Sequence, residues 1–377
     1  MHQKKKSKKH GIGWTLLKIC AGIAGTLVVV LGIYIIYLFA SYHRIEDNLE
    51  LTVEKPSGAA TDNPENTEKQ LQTGKEYSAL TYNIGFGAYT PDFSFFMDGG
   101  KSSWAKSKES VLENIQGAGA LAASYDPDFA LIQEVDLNAT RSYHVNEYDL
   151  LKESFPDYDS VFAMNYDSAF LFYPFTQPHG RSQAGLSLFS RYPITSSLRR
   201  SFPVSTSFSK FFDLDRCYSI SRIPVENGRE LVIFELHMSA YGNSDAIREG
   251  QISMLCEDMK TEYEAGNYVL CGGDFNHDLK ASEDDSSTHE SWAYPFPRES
   301  LPEHFTFCLD LLSEEEKAEL WDSARNADME YVPGVTYTVT LDGFIISDNL
   351  ECLSYENINT GYSWSDHDPV YLKFKLK

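Results

Sequence analysis

The chain has 377 residues and a formal net charge of −23, and its basic residues are concentrated at one end. Residues 1–44 hold seven Lys or Arg and no acid; removing those seven from the total of 32 leaves 25 basic residues against 55 acidic ones, a net charge near −30 for the rest. So acidic a body repels polyanions and gains nothing from counterion release, which counts against tight duplex DNA binding.

In chain order, the first element is a basic tail, HQKKKSKKH at residues 2–10. From Ile19 to Ala40 there follow 22 residues without a charge. As a helix this run spans roughly 33 Å, the thickness of a bilayer core. It is longer than the apolar region of a cleaved signal peptide, and no small-residue cleavage pattern follows it, so an uncleaved membrane anchor is expected. The lysines precede the helix, which keeps the N-terminus cytoplasmic and the remainder outside. Residues 46–75 are polar, acidic and nearly free of large apolar side chains, the composition of a flexible tether. The organisation expected is a cytoplasmic tail over 1–18, a transmembrane helix over 19–42, a flexible acidic linker over 43–75 and a globular domain over 76–377.

From Tyr77 onward, β-rich apolar runs recur at Tyr77–Asn83, Phe129–Gln133, Ser160–Ala163, Leu186–Phe189, Leu231–Leu236, Tyr268–Cys271, Phe344–Ile346 and Val370–Phe374. Helical spacing predicts a helix after a Ser107 cap, a second over Ser244–Glu264, and a third after Ser313. Strands outnumber helices and several are joined by loops alone, which favours a mixed α/β sandwich over an alternating parallel fold. Long aromatic loops interrupt the pattern at 84–104, 164–184 and 281–307, and loops of this length are usually functional or mobile. The six cysteines show no CxxC pair, so neither a zinc site nor a disulfide framework is expected; Cys217 and Cys271 read as buried free thiols. Arg199-Arg200 reads as a solvated pair.

Polar residues close the apolar strands. Asn83 ends SALTYN, Glu134 ends FALIQE, His237 ends VIFELH, and Asp274 and Asn276 close VLCGGDFN. Asp342 follows TVTL, and Asp366 and His367 lie in YSWSDHDPV. Taken singly, each has a bland explanation: a turn Asn, a solvated edge Glu, an Asx-rich turn, a surface His. Taken together and in this order, they describe a site built on a rigid scaffold.

The order N, QE, H, GDFN, D, SDH resembles the endonuclease/exonuclease/phosphatase superfamily, over about Tyr77 to Lys377. The segment GLSLFSRYPI at 185–194 is also similar to a strand of that family ending in Ser-Arg-x-Pro-Ile. The resemblance implies a DNase I-like, four-layer α/β sandwich, here preceded by one transmembrane helix, with the site at one end. It implies a metal side made by Glu134, Asn83 and Asp366, with Mg²⁺ the expected ion and Mn²⁺ the alternative. Mg²⁺ prefers oxygen ligands and needs only one or two carboxylates, which agrees with those residue types. Asp274 would orient or deprotonate the attacking water, and Asn276 and His237 would contact phosphate. His367, held by Asp342, would move a proton or stabilise charge. Which of Asp274 and His367 is the base stays open. The Met-Ser that follows His237 departs from the family's pattern. His277 and Asp278 read as surface residues. His179 and Arg181, in the aromatic loop, are candidates to grip a second anionic group, and that loop would pack on the domain or dip into lipid.

The expected activity is metal-dependent hydrolysis of a phosphoester outside the membrane. The ranking is a lipid headgroup or small sugar or inositol phosphate first, an exported nuclease second, and a non-catalytic binding module last. The expected partners are that substrate and the bilayer.

Overall fold

A computed structural model describes residues 11–56, 69–205, 215–239, 245–281 and 293–377. The lysine-rich tail at 2–10, the middle of the segment read as a tether, Ser244 and residues 282–292 of the 281–307 loop lie outside the described residues. The chain divides into two compact units, Met1–His43 and Arg44–Lys377.

The first unit is one helix, α1 (Gly11–Ser41), and its Gly13–Ser41 stretch is long and apolar enough to cross a membrane. At ~1.5 Å per residue it is longer than a bilayer core is thick. A signal sequence has the same character.

The second unit is a sandwich of two seven-stranded sheets. Its strands are β1 (Leu49–Glu50), β2 (Val53–Glu54), β3 (Glu76–Asn83), β4 (Phe129–Ala139), β5 (Asp159–Asp167), β6 (Ser182–Ser190), β7 (Ser196–Ser201) and β8 (Cys217–Pro224). They continue with β9 (Glu230–His237), β10 (Tyr268–Asp274), β11 (Phe305–Phe307), β12 (Ala324–Arg325), β13 (Thr338–Val339), β14 (Asp342–Ser347), β15 (Leu350–Asn357) and β16 (Val370–Leu376). One sheet runs β1-β7-β8-β9-β10-β14-β11 and the other β15-β16-β3-β4-β6-β5-β2, while β12 and β13 form a separate ribbon. Among the described strands, only the central pairs β9/β10 and β3/β4 are parallel. That arrangement brings the C-termini of β3, β9 and β10 and the Gln133–Glu134 stretch of β4 to one end of the sandwich.

Alternation explains the layers. Phe129 and Leu131 of β4, Leu231 and Ile233 of β9, and Leu372 and Phe374 of β16 point between the sheets into one buried cluster. The other face of β3 and β4 (Leu80, Tyr82, Ala130, Ile132) packs on α2 (Lys108–Ser124) and α3 (Glu147–Ser154) through Val111, Ile115 and Leu151. Helix α4 (Asp245–Glu264) covers the outer face of the first sheet with Ile252, Leu255 and Met259. The fold is the expected four-layer α/β sandwich. Ser107 caps α2 through its side chain, and Ser313 makes a capping box at α5 (Glu314–Glu319), as the sequence signals predict.

Three findings depart from the sequence reading. The acidic stretch after α1 is built into the body at both flanks: β1 pairs with β7, β2 with β5, and Leu71 is buried beside Val225. Edge strands tolerate charged residues, so their polarity hid them. Arg199 is fully buried; it donates to the carbonyls of Met164, Glu46 and Asp215 and lies 3.8 Å from the Asp215 carboxylate. His277 and Asp278 are buried too: the His277 ring nitrogen meets the Phe275 carbonyl and Asp278 accepts from the amides of Lys280 and Ala281, so both fix the turn after β10.

Candidate active site

Strand register assembles the site. In the parallel β9/β10 pair, Asp274 lies opposite His237, and in the antiparallel β10/β14 pair it lies opposite Asp342. These three residues therefore form a row across the first sheet. In the second sheet, the parallel β3/β4 pair sets Asn83 opposite Gln133, beside Glu134. The segment before β16 brings Asp366 and His367 over the gap, with the Ser365 hydroxyl donating to the Asn83 carbonyl at 2.8 Å. All eight expected residues thus gather at one end of the sandwich.

The backbone is bent to achieve this. Glu134 has a left-handed φ of 56° and sits where the β4/β6 register shifts between Ile132 and Val135. The bulge turns Glu134 into the cleft instead of along the strand. Asn276 is also left-handed, at φ 50°. Conformations of this kind cost about 1–3 kcal/mol each and cluster at functional sites. Gly273, at φ 145°, runs so close to β9 that a Cβ would lie 2.1 Å from the Leu236 carbonyl oxygen. Gly85, at φ 52°, would push a Cβ to 3.1 Å from the Asp366 carboxylate and 2.6 Å from the Tyr89 ring.

Asn83 links the two carboxylate groups. Its Nδ2 donates to Glu134 at 3.3 Å and to Asp274 at 3.1 Å, while its Oδ1 accepts from the Gly85 amide at 3.0 Å. His367 Nδ1 contacts Asp342 Oδ2 at 2.7 Å, and its Nε2 lies 3.8 Å from Asp274. Ser323 donates to the same Asp342 oxygen at 2.7 Å. His237 Nε2 lies 3.4 Å from Asp274, and its Nδ1 has no hydrogen-bond partner among the described residues. The Asn276 side chain donates to the Met238 carbonyl at 2.9 Å, and its amide donates to Asp274 at 2.8 Å.

Burial and neighbours give the two histidines opposite charge states. Burial holds His237 well below its ordinary pKa, and the positive charges of Arg216, His367 and Arg141 add to this. Burial opposes charge at His367 as well, but Asp342 and Asp274 together outweigh it and hold this imidazole well above its usual range. Burial pushes Asp274 up to about 7, with Asp342 reinforcing the rise and His367 opposing it. Burial likewise raises Asp366 to about 6, against the pull of His367 and Arg325.

These groups floor a cleft of about 170 Å³. Its walls carry Arg141, Arg216, Arg325, Asn165, Tyr166 and His179. Of these, only His179 was singled out from the sequence; the others sit outside any motif and reach the cleft from just after β4, from β5, from just before β8 and from the β12 ribbon. Arg141 is paired with Asp136 at 2.8 Å and lies over the Phe86 ring. Arg325 donates to the carbonyls of Tyr89, Thr90 and Asn326. His179 is packed against Phe95 and Phe96, and burial drives it down to about 3, so it is a neutral wall and not an anion grip. Arg181 pairs with Asp167 at 3.0 Å and does not line the cleft.

Among the described residues, two groups at the cleft have donors for a divalent ion. Asp274, Asp342 and His367 lie close enough together to hold one. The side chains of Glu134 and Asp366 offer a second, all-oxygen set at the same cleft, the donor type that hard cations prefer. In the first group, His367 Nδ1 and Asp342 Oδ2 are taken up by each other and by the Ser323 hydroxyl, while Asp342 Oδ1 has no hydrogen-bond partner among the described residues.

A family pattern, that of the endonuclease/exonuclease/phosphatase family, matches residues 80–308. The chain is also similar to solved structures. An endonuclease/exonuclease/phosphatase from Beutenbergia cavernae is 12% identical with a TM-score of 0.57, over 80% of this chain and 72% of that one. D. rerio TDP2 complexed with a single-strand DNA product is 14% identical, TM-score 0.52, over 80% of this chain and 99% of that one. The human Nocturnin catalytic domain with a bound sulfate is 19% identical, TM-score 0.52, over 80% of this chain and 95% of that one. At these identities the likeness is one of fold. No curated protein sequence matches the chain.

Proposed function

The chain belongs to the endonuclease/exonuclease/phosphatase family, and we propose that it is a Mg²⁺-dependent hydrolase of small or lipid-borne phosphoesters that works on the outer side of a membrane. The observation that carries this reading is the row His237–Asp274–Asp342, with His367 closing over it and the Glu134 and Asp366 carboxylates across the cleft.

Glu134 and Asp366 would hold the metal. A bound divalent cation neutralises phosphate charge and polarises a phosphoryl oxygen. Asn83 positions rather than ligates in this reading: its amide holds the Glu134 and Asp274 carboxylates, and its oxygen is taken by the Gly85 amide. Asp274 titrates near neutrality, which suits a general base that takes the proton from the attacking water. His367 keeps its proton, so it can stabilise charge on a phosphoryl oxygen or give that proton to the leaving oxygen, while Asp342 fixes its ring. His237 is neutral and can donate a hydrogen bond to phosphate without adding a charge. Arg216, on the wall beside it, supplies the positive charge that an anionic substrate requires.

The size of the cleft and the acidity of the chain favour a compact head group over a duplex. The TDP2 structure with a DNA product keeps single-stranded nucleic acid as the second reading. The lysines before α1 support an outward-facing body, which protease accessibility in intact cells would test; a protected body would reject it.

The direct test is hydrolysis by the purified full chain, with Mg²⁺ or EDTA, of bis-p-nitrophenyl phosphate, a phosphomonoester, sphingomyelin, inositol phosphates and single-stranded DNA. Turnover that requires metal and is lost in Glu134→Ala and His367→Ala is expected. Folded, metal-binding protein with no turnover on any of these would return the fold to a binding role.

A further inference from the structure

The loop that leaves β5 and returns as β6 has no charged side chain between Asp167 and Arg181. At its tip Phe172, Tyr173 and Phe175 are 50%, 64% and 85% exposed, and Met97 on the neighbouring loop is 62% exposed. Solvent-facing aromatics at this density are unusual on a soluble surface. They are also held out rigidly. Leu171 and Gly180 exchange main-chain hydrogen bonds of 2.9 and 3.0 Å, and the Trp104 indole donates to the Pro178 carbonyl at 2.7 Å. Tyr173 rests on Phe96 with ring centroids 5.9 Å apart. The tip stands on the rim of the catalytic cleft, because His179 of this loop and Phe95 and Met97 of its neighbour line that cleft.

The same end of the body is where the chain arrives from α1. The helix ends at Ser41, and three residues later Arg44 Nε donates to Asp215 at 2.9 Å and the Ile45 amide donates to its other carboxylate oxygen at 2.6 Å. Three residues span at most about 11 Å. Arg199 ties this junction down by donating to the carbonyls of Glu46, Asp215 and Met164. Met164 belongs to the end of β5 from which the aromatic loop departs, and the residues after it, Asn165 and Tyr166, line the cleft together with Arg216, the neighbour of Asp215.

We propose that the cleft end of the body docks on the bilayer that holds α1, with Phe172, Tyr173 and Phe175 inserted among the lipids, and that the substrate is a phosphoester borne by a membrane lipid whose head group enters the cleft from the bilayer surface. This rests on the hydrolase reading above and on α1 being a retained membrane helix. The occupant is lipid and not a soluble protein because the covalent junction keeps this rim within reach of the membrane. Phe and Tyr suit the bilayer interface, and an uncharged tip avoids the desolvation that a charged one would suffer there. With a net charge near −30 outside residues 1–44, the body is not drawn to anionic lipid, so docking depends on apolar insertion.

The experiment uses the full chain reconstituted in phosphatidylcholine vesicles with or without brominated acyl chains. Phe175→Trp is expected to show bromine quenching beyond that of the parent, whose own tryptophans set the background. The triple variant Phe172→Ser, Tyr173→Ser, Phe175→Ser is expected to lose vesicle phospholipid hydrolysis by about ten-fold or more while hydrolysing bis-p-nitrophenyl phosphate as the parent does. Absence of excess quenching overturns docking. Equal loss on both esters, or on neither, overturns the lipid-borne substrate. A parent inactive on the soluble ester but quenched at position 175 would instead refute the hydrolase reading and leave docking standing.

Discussion

The floor and the rim of the cleft are built by opposite means. The floor stands on strand ends locked by register, with Asp274, Asp342, His237 and His367 buried and Glu134 and Asp366 half-buried at the cleft. The rim is made of loops whose fixed bases present exposed rings and wall arginines. A floor of this kind can position one reaction with little tolerance, and a rim of this kind can change its clientele without disturbing the chemistry. Substitutions should therefore divide cleanly: floor changes act on every ester, and rim changes act on some.

The largest effect tests the floor. Asp274→Asn is expected to lower kcat/KM by about 10³-fold or more on soluble and lipid esters alike. A loss confined to one ester would merge floor and rim. The pH profile comes next. Activity should fall as pH drops below about 7, where Asp274 takes up a proton, and fall again at alkaline pH as His367 loses one. The two apparent values belong to the pair. Asp342→Asn should draw the alkaline limb downward, because it removes a carboxylate that holds the His367 proton. On the rim, Arg216→Ala should raise KM by about ten-fold with kcat nearly unchanged. A fall in kcat with constant KM would move Arg216 into the floor.

The smallest effect lies beneath the floor, where Glu235 is buried between the sheets, 3.4 Å from the Gln133 amide. Burial raises its carboxyl well above the ordinary value. The folded chain then retains a proton that the unfolded chain releases above about pH 4.3, so Glu235 costs stability increasingly as pH climbs from there towards its folded pKa. Glu235→Gln should therefore stabilise the protein at neutral pH, by on the order of 1 kcal/mol, and not below pH 4. Urea melts at both pH values would read this, and an equal effect at both would show that the group does not titrate.

The floor was legible in the sequence because its strand ends combine two signals, an apolar β run and a polar residue closing it. GGDFN even reports its own geometry, since Gly273 is the one residue that can pass so near Leu236. The walls were not legible. Arg216 lies in no motif, and its place follows only from the pairing of β8 with β9. Arg199 read as solvated because an arginine satisfied by backbone carbonyls carries no local signature. Strands β1 and β2 were hidden by edge polarity, and Arg181, exposed beside Asp167, shows that a basic residue in a promising loop need not face the cleft.

The most direct test of the account is where the divalent ion sits, because the account gives Glu134 and Asp366 the metal and leaves Asp342 and His367 to the proton. Calorimetric titration of the full chain with Mn²⁺ and with Mg²⁺ should show binding that Glu134→Gln weakens by about ten-fold or more and Asp342→Asn leaves within about two-fold. Binding abolished by Asp342→Asn and untouched by Glu134→Gln would put the ion in the buried Asp274, Asp342 and His367 group and contradict the division of labour argued above.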